Sequence, residues 1–246
     1  MCTLVISRRP GEKWPLLMAA NRDEKLNRPW LAPARHWEDR PDVYGGKDLL
    51  EGGTWLAIND FGVVAAVLNR EGSLGPKEGF RTRGELPLEA LDHADADTAA
   101  KMLADINKSS FRSFNLVIAD NQSAYWLKSD SLTDNTRVEV FEVPEGLSMI
   151  TSADLNDYGS PRIKRFLKRF ELAKLPDIES DDWNSWKLLL MDSNYDSDQG
   201  EDSAMFIKNN RGFGTVSSAL VALPNKENQG VTAKFWFTNL RETRQD

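Results

Sequence analysis

Short apolar, β-rich runs that come in pairs around turn residues narrow the fold of this chain more than any other feature. Cys2–Ser7 alternates like a half-buried strand, Arg9-Pro10-Gly11-Glu12 reads as a turn, and Pro15–Asn21 follows as a second apolar run. Trp55–Asn59 and Val63–Asn69 repeat the arrangement around Asp60-Phe61-Gly62. Such pairs predict antiparallel sheets, because a tight turn returns the chain beside itself while parallel strands need a long crossover. Phe114–Asp120, Ala124–Lys128, Val138–Val143 and Leu147–Thr151 read as a further run of strands, with Met205–Ile207, Thr215–Leu223 and Lys234–Thr238 as closing ones. Leu86–Leu91 and Thr98–Ile106 between them are helical, and Asp182–Met191 places Trp183, Trp186 and Leu190 on one side of a further helix. Ser160-Pro161 opens another helix, in which Ile163, Phe166, Leu167 and Phe170 recur at helical spacing. Asn21–Lys47 is polar, carries Pro29, Pro33 and Pro41, and reads as a long loop. The grouping predicts one α+β domain over 1–246, with antiparallel sheets covered by helices.

Composition excludes several partners. The 246 residues are 40% hydrophobic, enough for a sizeable core, and carry a net charge of −7. That sign opposes a counterion-release grip on nucleic acid and a polybasic hold on anionic lipid. The apolar runs fall far short of the roughly 20 residues that span a bilayer, so no integral membrane contact is expected. Arg8 and Arg9 follow only a short apolar stretch and precede Gly11-Glu12-Lys13, which is not the order of a secretory signal. The expected setting is cytoplasmic and the expected partner a small molecule, with the oligomeric state open.

The single cysteine cannot form an internal disulfide or a paired-cysteine metal site, so its value is packing or reactivity. It is residue 2. Removal of Met1, expected because the next side chain is small, makes Cys2 the first residue, with a thiol and a free α-amine together. The amine, with an ordinary pKa of about 7.7–8.0, then serves as the base for a thiol of about 8.5. A lone cysteine on a first strand also serves as a small buried hydrophobe. Asn21-Arg22-Asp23-Glu24 ends the run expected to lie beside Cys2–Ser7, which would let Arg22 hold a thiolate and Asp23 accept from the terminal ammonium. The same four residues also fit a solvated turn.

The motifs Met1-Cys2-Thr3, Ala20-Asn21-Arg22-Asp23-Glu24, Arg28-Pro29, Gly45-Gly46-Lys47-Asp48, Gly52-Gly53-Thr54-Trp55-Leu56, Asn69-Arg70, Thr82-Arg83-Gly84, Phe114-Asn115-Leu116 and Phe213-Gly214-Thr215 run in order along the chain. Together they resemble the NRDE family, also called the transport and Golgi organisation 2 homologue family. That resemblance implies an N-terminal-nucleophile (Ntn) hydrolase-like fold, a four-layer αββα sandwich of two antiparallel sheets. A more distant similarity links Met1-Cys2-Thr3, Asn21-Arg22-Asp23 and Gly62–Asn69 to the cysteine hydrolases of conjugated bile acids and penicillin V. It implies Cys2 as nucleophile, Asp23 as holder of the α-amine and Asn69 as oxyanion donor, with Ser152 and Arg162 near the positions of a further asparagine and a late arginine. Ala20 stands where those hydrolases have an arginine, and Arg22 where they carry an apolar residue. By the same resemblance Asn21, Arg83, Ser152 and Arg162 are candidate substrate-binding residues.

Two functions follow. One is a cysteine hydrolase acting on a C–N or related acyl bond, without cofactor or metal. The other, from the family's link to haem traffic and lipid homeostasis, is a carrier of a hydrophobic anionic ligand such as haem or an acyl lipid. In the carrier Cys2, His36 or His93 would meet iron and Arg22 or Arg83 a carboxylate. Asp192–Asp202 resembles a calcium loop at Asp192, Asn194 and Asp196 but has Ser197 and Ser203 where glycine and glutamate are needed, and reads as a solvated loop. Arg162, Lys164, Arg165, Lys168 and Arg169 make one helix basic, as a solvated amphipathic helix often is.

Overall fold

The computed structural model describes residues 2–130, 137–208, 211–228 and 230–241. Met1 lies outside them. In chain order the strands are β1 (Thr3–Arg8), β2 (Leu16–Lys25), β3 (Trp30–Ala34), β4 (Val43–Asp48), β5 (Leu56–Asn59), β6 (Val64–Asn69), β7 (Phe114–Ala119), β8 (Ala124–Ser129), β9 (Glu139–Glu142), β10 (Gly146–Ile150), β11 (Phe213–Leu223) and β12 (Lys234–Asn239). The helices are α1 (Glu85–Leu91), α2 (Ala96–Ala104), α3 (Pro161–Leu172) and α4 (Asn184–Leu190). Every strand pair is antiparallel, in two sheets, as the paired runs predict. The fold class is therefore α+β. No helix among the described residues is long and apolar enough to cross a membrane.

The chain forms two compact units, Met1–Arg28 with Pro144–Asp246, and Pro29–Val143. The first holds the five-stranded sheet, in the order β10-β1-β2-β11-β12. Thr3 pairs with Asn21 and Val5 with Ala19, so these residues share one face. Val5, Leu17, Ala19, Leu220 and Ala222 pack there against Ile163, Phe166, Leu167 and Phe170 of α3 and Trp186 and Leu190 of α4. Phe170 and Trp186 meet edge to face at 5.6 Å. Each buried ring contributes about 1.5–3 kcal/mol by removal from water, and their edge-to-face contact adds to that. Pro161 opens α3 from Ser160, but the Ser160 hydroxyl makes no capping bond and lies 3.3 Å from Thr151 Oγ1.

The second unit holds the seven-stranded sheet, a meander in sequence order from β3 to β9. Ala65, Phe114, Leu116, Ile118 and Leu127 pack with α1 and α2 around Leu86, Leu91, Ala99 and Leu103. Gly53 and Gly84 lie backbone to backbone, the Thr54 N–H donating to the Gly84 carbonyl at 2.9 Å. A Cβ on Gly53 would stand 2.4 Å from the Gly84 carbonyl carbon. Gly53 thus serves a close backbone approach inside the unit, while Gly52 turns the chain at φ +76.

Two expectations are corrected. Asn21–Lys47 is not one long loop: β2 continues through Lys25, and β3 and β4 follow. Pro33 is tolerated inside β3 because β3 is an edge strand, where a missing N–H breaks no ladder. Met205–Ile207 is not a strand; it is buried, irregular chain, tied at Ile207 to Thr215 by bonds of 2.9 Å in both directions.

Candidate functional site

Cys2 immediately precedes β1, the strand that lies between β10 and β2. Its thiol is half-buried and donates to the Asp23 main-chain carbonyl at 3.6 Å. Burial pushes the thiol pKa up, and the Asp23 carboxylate pushes it further; the amino-terminal charge and Arg22 act the other way without cancelling them. At neutral pH the group is thus a protonated thiol that needs a base.

Asp23 lies on β2, the central strand of the five-stranded sheet. Its Oδ1 accepts from the Thr215 hydroxyl at 2.6 Å and its Oδ2 from Arg162 Nη1 at 2.9 Å. The same Arg162 nitrogen donates to Thr3 Oγ1 at 2.8 Å, and Nη2 donates to the Asp202 carbonyl at 3.0 Å. Both charged side chains are nearly inaccessible, 3% exposed for Arg162 and 0% for Asp23. Burial alone would raise the Asp23 pKa, but the amino-terminal charge, Arg162 and the Thr215 hydroxyl outweigh it and hold the carboxyl below its ordinary range. Thr215 faces Asp23 in the register, next to a bulge between Thr215 and Ser217 that re-aims β11 at this point.

Asn21 is 1% exposed and bracketed by the protein itself. Its Nδ2 donates to the Leu190 and Met205 carbonyls at 2.8 and 2.9 Å, and its Oδ1 accepts from Ser218 at 2.5 Å. That arrangement ties the end of α4 and the buried 205 segment to β2. Arg22 lies on the same strand, 6% exposed, 3.9 Å from Glu24. Ser152 is buried just beyond β10. The five-stranded unit therefore holds Cys2, Asn21, Arg22, Asp23, Ser152 and Arg162, and hydrogen bonds join Cys2 and Arg162 through Asp23.

Asn69 and Arg83 belong to the other unit. Asn69 ends β6, opposite Phe114. Arg83 donates to the Ser73 carbonyl and hydroxyl, the Ser113 carbonyl and the Gly75 carbonyl at 2.7–3.3 Å, clamping the glycine-rich loop after β6. Arg70 donates to Asn115 Oδ1 at 2.8 Å, which also accepts from Trp126 at 3.1 Å. His36 lies 2.7 Å from the Ala32 carbonyl. Among the described residues no group of three or more His, Cys, Asp or Glu side chains converges as a metal site.

Thr3, Thr215 and Ser218 were not singled out as site residues by sequence. Thr3 and Thr215 nevertheless lie inside motifs that carry the family resemblance, and that membership was the available signal. Ser218 had none.

These two sheets with their helices define an Ntn-hydrolase fold. The Caenorhabditis elegans N-acylethanolamine-hydrolyzing acid amidase (NAAA) ortholog superposes with a TM-score of 0.53 over 96% of this chain and 100% of that one, at 12% identity. Penicillin V acylase from Agrobacterium tumefaciens gives 0.54 over 97% and 86%, also at 12% identity. More particularly, residues 1–234 match the family model Transport and Golgi organisation 2, and the chain belongs to that family. It is 38% identical over 124 residues to the Transport and Golgi organization protein 2 homolog of Bos taurus and 35% identical over 124 residues to that of Homo sapiens. The matched stretches cover 46% and 47% of this chain, and the chain spans less than half the length of these relatives, 42% and 43%.

Proposed function

We propose that this chain is an N-terminal-nucleophile cysteine hydrolase that cleaves a C–N or related acyl bond of a small molecule, with Cys2 as nucleophile once Met1 is removed. One observation carries the reading: the Cys2 thiol donates to the main chain of Asp23, whose own carboxylate is buried and held ionised beside it. A thiol kept protonated at rest suits a mechanism in which an adjacent base takes the proton during attack. In the processed chain the α-amine of Cys2 is that base, and the Asp23 charge favours its return to ammonium. The thiol sulfur adds to the carbonyl carbon while its proton passes to the amine. The amine then protonates the leaving nitrogen or oxygen as the C–N or C–O bond breaks. Water, deprotonated by the same amine, cleaves the resulting thioester and restores the thiol. Arg162 and Thr215 are positioning residues, since they act on Asp23. The two fold neighbours, an amidase and an acylase by name, support the same chemistry class.

Intact-mass spectrometry before and after treatment with an alkylating agent, then with a panel of amides and thioesters, tests the reading. The expected result is a chain lacking Met1, one alkyl group on Cys2, and a transient acyl adduct absent from Cys2→Ala. Alkylation should follow a titration whose midpoint moves down in Asp23→Asn, because the Asp23 charge raises the thiol pKa. A chain that retains Met1 overturns the hydrolase, and one that binds a hydrophobic anion such as haem stoichiometrically with no acyl adduct overturns it in favour of the carrier.

A further inference from the structure

The acidic stretch Asp192–Asp202 is the solvated loop expected of it, exposed over 194–199, and it lies along α3. Its ends are held together, the Phe206 N–H donating to the Asp192 carbonyl at 2.9 Å, which is the closed base of an Ω-type loop. From that base it runs antiparallel to the helix over three arginines on one stripe. Arg169 meets Asp192 at 2.6 Å, Arg165 meets Asp196 at 2.5 Å, and Arg162 donates to the Asp202 carbonyl. The Arg165 and Arg169 guanidiniums both lie over the Phe166 ring, at 5.8 Å and 4.8 Å. At the loop's far end the Gln199 and Gly200 N–H groups donate to the Asp196 carbonyl, and Gly200 turns the chain at φ +74.

Under this end lies a cavity of about 70 Å³ lined by Thr151, Ser160, Arg162, Gln199, Asp202 and Ser203, with Pro161 completing it. The space is partly open to solvent and holds a few waters. Gln199, Asp202 and Ser203 form the loop's share of the wall, while Arg162 on the opposite side is the residue that holds Asp23.

We propose that residues 192–203 are an ionic lid on this cavity, latched by the Arg165–Asp196 pair, pinned at its base by the Arg169–Asp192 pair and the Asp192–Phe206 hydrogen bond, and released by raised ionic strength. The physical basis is the weakness of the latch. Asp196 is 63% exposed, so its pair with Arg165 is the screened, surface kind, while Asp192 at 9% is better protected and anchors the hinge side. Opening exposes Arg162 without unfolding the sheet. That the lid guards the reacting end of the chain rests on the hydrolase reading; that it opens does not.

Amide hydrogen exchange of the full chain at about 20 mM and about 500 mM NaCl tests the lid, since the Debye length shrinks from roughly 20 Å to roughly 4 Å over that range. In the wild type the Gln199 and Gly200 amides should exchange about three- to tenfold faster at high salt, with the β11 amides unchanged. Arg165→Ala/Arg169→Ala should exchange fast at low salt and show no further response. Asp196→Asn, which leaves α3 untouched, should fall between. Equal exchange at the two salt concentrations in the wild type, or a salt response that survives in the double variant, overturns the lid. Because the readout is exchange and not turnover, an inactive Cys2 leaves the result intact.

Discussion

Asp23 shows how a single side chain ties folding to chemistry. The pair it makes with Arg162 is buried on both sides, so removing one partner strands the other charge away from water. Asp23→Asn is expected to lower the unfolding free energy at pH 7 by about 3 kcal/mol, measured by urea titration. The pH dependence carries the sign. The folded-state pKa lies below the unfolded value of about 3.9, so the stability from ionised Asp23 is fully present above that value and is lost as pH falls through the folded pKa. The gap between wild type and Asp23→Asn should therefore narrow on acidification and stay flat from pH 5 to 7; a gap independent of pH refutes the assignment. Cys2, Arg22 and Asp23 were legible in the sequence as neighbours because strand pairing alone puts them together. The partners of Asp23 were not, since Thr215 and Arg162 arrive from 192 and 139 residues away. Asn21 was read as a ligand group, yet its three hydrogen bonds all go to the protein's own groups, which an exposed-turn reading of Asn21–Glu24 has no means of foreseeing.

At the level of elements, periodicity located most of the strands and all four helices, and failed where burial rather than alternation sets the pattern. Prolines at Pro29 and Pro33 broke the signal for β3, because an edge strand does not need every N–H. Met205–Ile207 is apolar because it is buried, and no ladder forms beside it. Glycines were equally ambiguous in sequence, and their packing separates them. Gly53→Ala must push the Gly84 backbone away, which predicts a loss of about 1–3 kcal/mol in the seven-stranded unit, read as a lower thermal midpoint. Gly11→Ala, where the added Cβ meets nothing within 4 Å, costs only the strain of φ +86 and serves as the comparison. Equal losses at the two positions would mean that steric contact between Gly53 and Gly84 is not what selects glycine there.

Across the whole molecule the two units differ in how far apart in sequence their contacts lie. The seven-stranded sheet pairs each strand with the next, β3 through β9, within Pro29–Val143. Outside its local hairpins β1–β2 and β11–β12, the five-stranded sheet pairs β1 with β10 and β2 with β11, so the first hairpin completes its sheet only with partners at 146–223. Closing long loops costs entropy before the pairing returns anything, which slows folding of sheets built this way. Refolding followed by pulsed hydrogen exchange should therefore show amides of β6 and β7 protected before those of β1 and β11. The nucleophile candidate immediately precedes β1, so the same order makes Cys2 labelling by a short pulse of a thiol-reactive alkylating agent a second clock. Cys2 should stay freely reactive while β7 is already protected, and become slow only when β11 closes on β2 and the Asp23–Thr215 bond forms. Protection of β11 together with or ahead of β7 would show that sequence separation does not govern the order. Loss of Cys2 reactivity before β11 is protected would show that burial of the thiol does not depend on completing the sheet.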